Sequence, residues 1–230
     1  MINIIEGGFN MTDLQTQTIA AFYVAADTEA ARPMVAYMRD QFPYLGIPTP
    51  KRKALQKDLL KAAKKEASPD WDFINHCWSL SEREFQYLAI DYLIKIEKTF
   101  TADDISALKN LAVQKSWWDT IDGLDRIIGR ITASFPTVKQ IMLDWSLDDN
   151  FWLRRIAIDH QLTLKEQTDT VLLSRIIENN LGSTEFFINK AIGWSLRDYS
   201  KINPDWVREF VEAHKSQMAA LSIKEASKYL

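Results

Sequence analysis

Gly123-Leu124-Asp125-Arg126-Ile127-Ile128 decides how this chain folds, because its small first residue and the aliphatic residues at the next position and four beyond that recur along the chain. With Gly123 as anchor, Ala89, Ala157 and Ala191 stand in the same register at a constant step of 34 residues. The next position reads Ile90, Leu124, Ile158 and Ile192, and the position four further on reads Ile94, Ile128, Leu162 and Leu196. Residues four apart on a helix lie one above the other, so each copy carries an apolar stripe. A small residue beside that stripe lets a second helix approach closely. One helix pair per copy at such a step is the mark of an α-solenoid. Tetratricopeptide repeats share the period, but their tryptophan-leucine-glycine-tyrosine signature is missing.

The rest of the chain agrees with an all-α fold. Seven glycines in 230 residues, no alternating strand pattern and recurrent helix-start signals point the same way. Thr49-Pro50, Ser68-Pro69, Phe135-Pro136 and Asn203-Pro204 put proline where a first helical turn tolerates it. Ser81-Glu82-Arg83-Glu84 reads as a capping box, and Thr101 with Asp104 as a weaker one. Helices are expected over 28–42, 50–66 and 150–164 among others, joined by short connections. Residues 1–11 read as an N-terminal extension and 12–230 as a single repeat domain.

Charge and composition narrow the function. Lys plus Arg number 28 and Asp plus Glu 31, a formal net charge of −3, so no chain-wide basic field exists and a polyanion site must come from local sorting. Cys77 alone excludes an internal disulfide framework and fits a reducing cytoplasm. His76, His160 and His214 lack the spacing of zinc ligands, and neither a metal nor a cofactor is expected. The start lacks the basic segment of a signal peptide, and no apolar run is long enough to span a bilayer. A cytoplasmic monomer without membrane attachment is the expectation.

The chemistry concentrates at Lys115-Ser116-Trp117-Trp118-Asp119-Thr120-Ile121-Asp122. Trp118 and Asp122 share one helix face, and a carboxylate beside an indole suits a cationic or electron-poor group. The plainer reading makes Trp117 core, Trp118 a surface aromatic, and both acids favourable at a helix start. Taking about 100° per residue, Trp118, Asp122, Phe187, Lys190 and Trp194 fall opposite the Ile/Leu stripe, with Arg155 at its border. In a solenoid such residues line the concave surface, together with Trp152, Phe186 and Arg197. Phe186 and Trp152 read equally well as core. Lys53, Lys57, Lys61 and Lys64 read as a solvated face. Pro50-Lys51-Arg52-Lys53 opens a helix whose amides favour anions, making Lys51 and Arg52 candidate phosphate contacts.

Four segments together resemble the AlkD family of bacterial DNA alkylation-repair glycosylases. They are Met34-Val35-Ala36-Tyr37-Met38-Arg39 running into Phe42-Pro43-Tyr44-Leu45-Gly46-Ile47, then Ser116 to Asp122, Trp152-Leu153-Arg154-Arg155, and Phe186-Phe187-Ile188-Asn189-Lys190-Ala191-Ile192-Gly193-Trp194. The resemblance runs from about residue 20 to the end. It implies HEAT-like repeats forming a superhelix with a concave groove, and removal of positively charged N3- or N7-alkylated purines from duplex DNA without a tight base pocket. It further implies Asp122 as catalytic carboxylate, Trp118, Trp194 and Tyr37 against the lesion's deoxyribose, Arg155 on phosphate, and Phe186 and Phe187 near the duplex. Lys190 is the only amine on the site arc; it reads as a phosphate contact, so strand cleavage through a Schiff base is not expected. A non-catalytic duplex-binding relative and a scaffold for a protein partner are the rival readings.

Overall fold

The Thr12 hydroxyl accepts from the Gln15 amide while the Gln15 side chain accepts from the Thr12 amide, a reciprocal cap that starts the first helix. The structure is a computed structural model in which residues 11–230 are described; the expected extension over 1–11 therefore lies, but for Met11, outside the described residues. Every regular element among the described residues is helical. The chain divides into two compact units, Met1–Phe100 and Thr101–Leu230, where the sequence suggests one repeat domain over 12–230.

The first unit holds α1 (Asp13–Val24), α2 (Thr28–Tyr37), α3 (Thr49–Leu55), α4 (Lys57–Ala63), α5 (Trp71–Ser79) and α6 (Arg83–Lys95). Two expectations fail here. The helix anticipated over 28–42 ends at Tyr37, because Arg39 and Asp40 turn to φ 55° and 57°. The helix anticipated over 50–66 breaks at Gln56, whose buried side-chain amide donates to Asp91 at 2.6 Å. The Ser81 capping box also does not form. Glu82 takes the cap position without a side-chain bond, and the buried Glu84 carboxylate instead accepts the amides of Leu45, Gly46 and Ile47 at 3.0, 2.8 and 3.1 Å. That bend requires glycine: Gly46 has φ +85°, and a Cβ there would lie 2.0 Å from the Asp27 carbonyl oxygen.

The second unit shows the stacking that the repeat implies. Its helices are α7 (Ile105–Ala112), α8 (Trp118–Ser134), α9 (Val138–Trp145), α10 (Phe151–Asp159), α11 (Thr170–Glu178), α12 (Phe186–Ser200), α13 (Pro204–His214) and α14 (Ala220–Ala226). α8, α10, α12 and α14 pack successively against one another, while α9 packs on α11 behind them. Asn150, Asp169 and Asn203 cap α10, α11 and α13 with their side chains. Thr101 and Asp104 form the expected box ahead of α7. α10 stops at Asp159, short of the expected 164, so Leu162 lies beyond the helix and only partly buried.

The anchors Ala89, Ala157 and Ala191 are fully buried, as are Leu124, Ile128 and Ile158. Each buried Leu or Ile removes apolar surface worth about 1.5–3 kcal/mol from water, so the α8 stripe of Ile121, Leu124, Ile127, Ile128 and Ile131 fixes the helix face opposite the site. A close helix contact falls six residues on from the anchor Gly123, where a Cβ at Gly129 would lie 1.8 Å from the His160 carbonyl oxygen. Alanine in an open helix gains about 1 kcal/mol over glycine. At Gly129 we expect the opposite: Gly129→Ala forces α8 from α10 and destabilises by about 2–3 kcal/mol, as overpacked cores do, readable as a lower denaturant midpoint.

Candidate active site

Asp122 lies one turn after Trp118 on α8, with its side chain one quarter exposed at 25%. Arg155, from α10, is buried at 1% and is drawn to it: Nη2 and Nε donate to Asp122 Oδ1 at 2.7 and 3.1 Å. Nη1 donates to the Phe187 carbonyl at the start of α12, 2.8 Å away. Three successive inner helices therefore meet at one guanidinium. It also lies 5.4 Å from the Trp194 ring and 6.0 Å from that of Phe187.

Trp194 faces cations on several sides, with Lys190 at 5.5 Å and Arg197 at 5.9 Å from its ring centre. Asp122 and Trp194 line one shallow cavity of about 230 Å³, together with Asp125, Thr163, Arg197 and Lys201. Burial raises the Asp122 carboxyl above the ordinary carboxylate range, and the Arg155 charge opposes that rise. An anion in this place is thus partly dried, held in orientation, and open on one side.

An aromatic cluster buttresses the site. Trp152 is buried, and its ring centre lies 5.9 Å from Trp117 and 4.8 Å from Phe187. Trp117 also packs edge-on against Phe187 at 5.4 Å. Of the two residues that the sequence left open, Trp152 belongs to the core and Phe186 is 55% exposed. Trp118 is half-buried.

The candidate cations have partners within the protein. Arg155 is buried inside the site, with two carboxylates and a carbonyl around it. Lys190 donates to Glu225 on α14 at 2.8 Å, and Arg197 to the same carboxylate at 2.7 Å. In the first unit Arg52 is buried at 8% and bound to Asp91 at 2.6 Å. Exposed Lys51 donates to the Ala25 carbonyl at 3.0 Å. The helix they open has 7 residues. Tyr37 is 71% exposed at the end of α2, beside a cavity of about 410 Å³ that Tyr44, Tyr87 and Arg52 also line. Lys53, Lys57, Lys61 and Lys64 line a groove with Lys95.

Three residues of the site were not legible in the sequence. Asp125 and Asp159 are buried acids within 4.8 Å of Asp122 through their carboxylate oxygens. Glu225 gathers Lys190, Arg197 and Lys228. The available signal was an acid on the buried arc of a helix: Asp125 sits four residues from Ile121, and Asp159 three from Ile156. Arg155 stands close to two of the clustered carboxylates, so a resident positive charge already fills the place a cation would take.

Stacked helix pairs with a held carboxylate near the Trp194 ring define a helical-repeat protein with a charged site on successive packed helices. Residues 18–230 match the model of a family described as DNA alkylation repair enzyme, and the chain belongs to that family. A solved structure described as a predicted DNA alkylation repair enzyme from Enterococcus faecalis is 39% identical, with a TM-score of 0.81, over 89% of this chain and 96% of that one. Two Streptococcus mutans structures share the fold. AlkD2 is 15% identical with a TM-score of 0.56, over 99% of this chain and 92% of its own. The smu.31 protein of strain UA159 is 18% identical with a TM-score of 0.58, over 77% and 96%. No curated protein matches. The family supports a role in repair of alkylated DNA, and no helix among the described residues is long and apolar enough to cross a membrane.

Proposed function

We propose that the protein is a monofunctional DNA glycosylase that hydrolyses the N-glycosidic bond of positively charged N3- or N7-alkylated purines in duplex DNA. The observation that carries this reading is Asp122: a part-exposed carboxylate fixed by two Arg155 N–H groups beside the Trp194 ring. Alkylation makes the base a cation and a good leaving group, so little general-acid help is needed. What needs stabilising is the positive charge that develops on the sugar. A fixed carboxylate at the anomeric carbon does so and orients a water, and such preorganised charge is often the largest single term in catalysis.

The surroundings suit that approach. Trp118 and Trp194 offer π faces to the deoxyribose. The cavity beside Asp122, about 230 Å³, is smaller than the roughly 300–1,000 Å³ that enclose a small ligand, which favours a base left outside over one swallowed whole. Lys190 is tied to Glu225 at 2.8 Å, which supports hydrolysis over β-elimination. Phosphate contacts fall to Lys190, Arg197 and the exposed lysines, and Phe186 presents its ring outward toward the duplex.

The test is to incubate the protein with methylated duplex DNA and measure free methylated purine. Release of base with strands intact is expected; salt-sensitive binding without release would leave a non-catalytic DNA-binding relative, and neither would leave a scaffold. A second expectation concerns Glu225, whose carboxyl is held down to about 2 by Lys190 and Lys228. Glu225→Gln should loosen α14 at neutral pH, lowering the melting temperature. That loss should shrink as acid protonates the wild-type carboxyl from its unfolded range down through about 2. The variant also frees Lys190 and Arg197, so duplex binding should tighten at low salt, with a log–log salt slope steeper by about 1–2.

A further inference from the structure

Asp125 on α8 and Asp159 on α10 are each 1% exposed. With Asp122 they place carboxylate oxygens within 4.8 Å of one another. The buried cation facing them is Arg155, whose Nη2 lies 2.7 Å from Asp122 Oδ1 and 3.6 Å from Asp159 Oδ2. Around the rim stand Arg126 on α8, and Arg197, Asp198 and Lys201 on and after α12. Asp159 Oδ1 accepts from Ser195 Oγ at 3.1 Å. Asp125 Oδ1 and Asp159 Oδ2 are buried without a hydrogen-bond partner.

Three anions about one buried guanidinium leave charge uncompensated, and a carboxylate so placed takes up a proton instead. A proton on Asp125 turns one of the two orphaned carboxyls into a donor and gives the other, with carboxylate oxygens of the two residues within 4.8 Å, something to accept. We propose that Asp125 is a positioning residue of this site, kept as a neutral acid that shares its proton with Asp159. The cluster then carries one net negative charge rather than two, and Asp125 adds no repulsion to that by which Asp119, also on α8, raises the Asp122 carboxyl. Burial, then the charges of Asp159 and Asp122, push the Asp125 carboxyl well above its ordinary range, and burial pushes that of Asp159 up to about 6. The functional consequence rests on the glycosylase reading; the protonation does not.

A carboxyl whose folded pKa is raised keeps a proton that the unfolded chain releases. Its site therefore loses stability as pH rises from the unfolded value, about 3.9, through the folded one. Asparagine keeps the neutral shape at every pH. Asp125→Asn should melt above wild type at pH 8 by about 3 °C or more, with the gap closing toward pH 4. Asp125→Ala, which leaves a void and an unpaired Asp159, should melt below wild type throughout. In carbon-13 spectra of labelled aspartate carboxyls, one resonance absent from Asp125→Asn should retain its acid position at neutral pH. Excision should fall in Asp125→Ala and recover in large part in Asp125→Asn. The proposal is overturned if that resonance titrates as an ordinary carboxylate, if Asp125→Asn melts as low as Asp125→Ala at pH 8, or if magnesium raises the wild-type melting temperature and not that of Asp125→Asn. If wild type releases no base, the melting and spectral results still decide the protonation, and the glycosylase reading alone fails.

Discussion

Asp122→Asn should lower excision of N7- and N3-methylated purines by about 10²–10³-fold or more, the loss seen when one preorganised group is removed from a charged transition state. The substitution keeps the side chain's shape and an oxygen for Arg155, and removes the negative charge facing the sugar. Duplex binding should persist, because a carboxylate cannot contribute attraction to a polyanion. Paired rates and affinities separate the two effects; equal excision by the variant would remove Asp122 from the role. In wild type the burial that raises the Asp122 carboxyl sets the acid limb. Excision should fall as pH drops through a range above that of an ordinary aspartate.

Arg155→Leu should have the largest effect on the fold. Removing one partner of a buried ion pair costs about 3–5 kcal/mol, since the remaining charges are left without compensation. Here two carboxylates, Asp122 and Asp159, lose their common cation, and the Phe187 carbonyl loses its donor. The loss should be greatest near neutral pH and smaller at pH 5, where the stranded acids take up protons. A denaturant midpoint unchanged at pH 7 would mean that the guanidinium is not what holds α8, α10 and α12 together at this point.

The repeat was legible because helix packing leaves a periodic record: Ala157 with Ile158, and Ala191 with Ile192, are buried where the register put them. Helix ends were less so. No glycine announces the turn at Arg39 and Asp40, and the Ser81 box yields to a bond from Glu84 to amides that folding brings in from Leu45, Gly46 and Ile47. The centre of the site could be seen because Trp118 and Asp122 share a helix face within eight residues of sequence. Its electrostatics could not. Asp125 looks like a solvated helix acid until α10 brings Arg155 toward it, Asp159 until α12 brings Ser195, and Lys190 looks like a free cation until α14 presents Glu225. Charge pairing between helices depends on three-dimensional register, which a periodic sequence sets only to within a turn.

In the proposed reaction a fixed negative charge at Asp122 answers a positive charge on the sugar. The most direct measurement is the affinity for duplexes carrying, at one abasic position, either a cationic pyrrolidine ring or the neutral tetrahydrofuran ring of the same shape. Wild type should prefer the cationic ring by about 10²-fold or more, as transition-state mimics are preferred, and Asp122→Asn should lose that preference. Equal affinity of wild type for the two rings would contradict it.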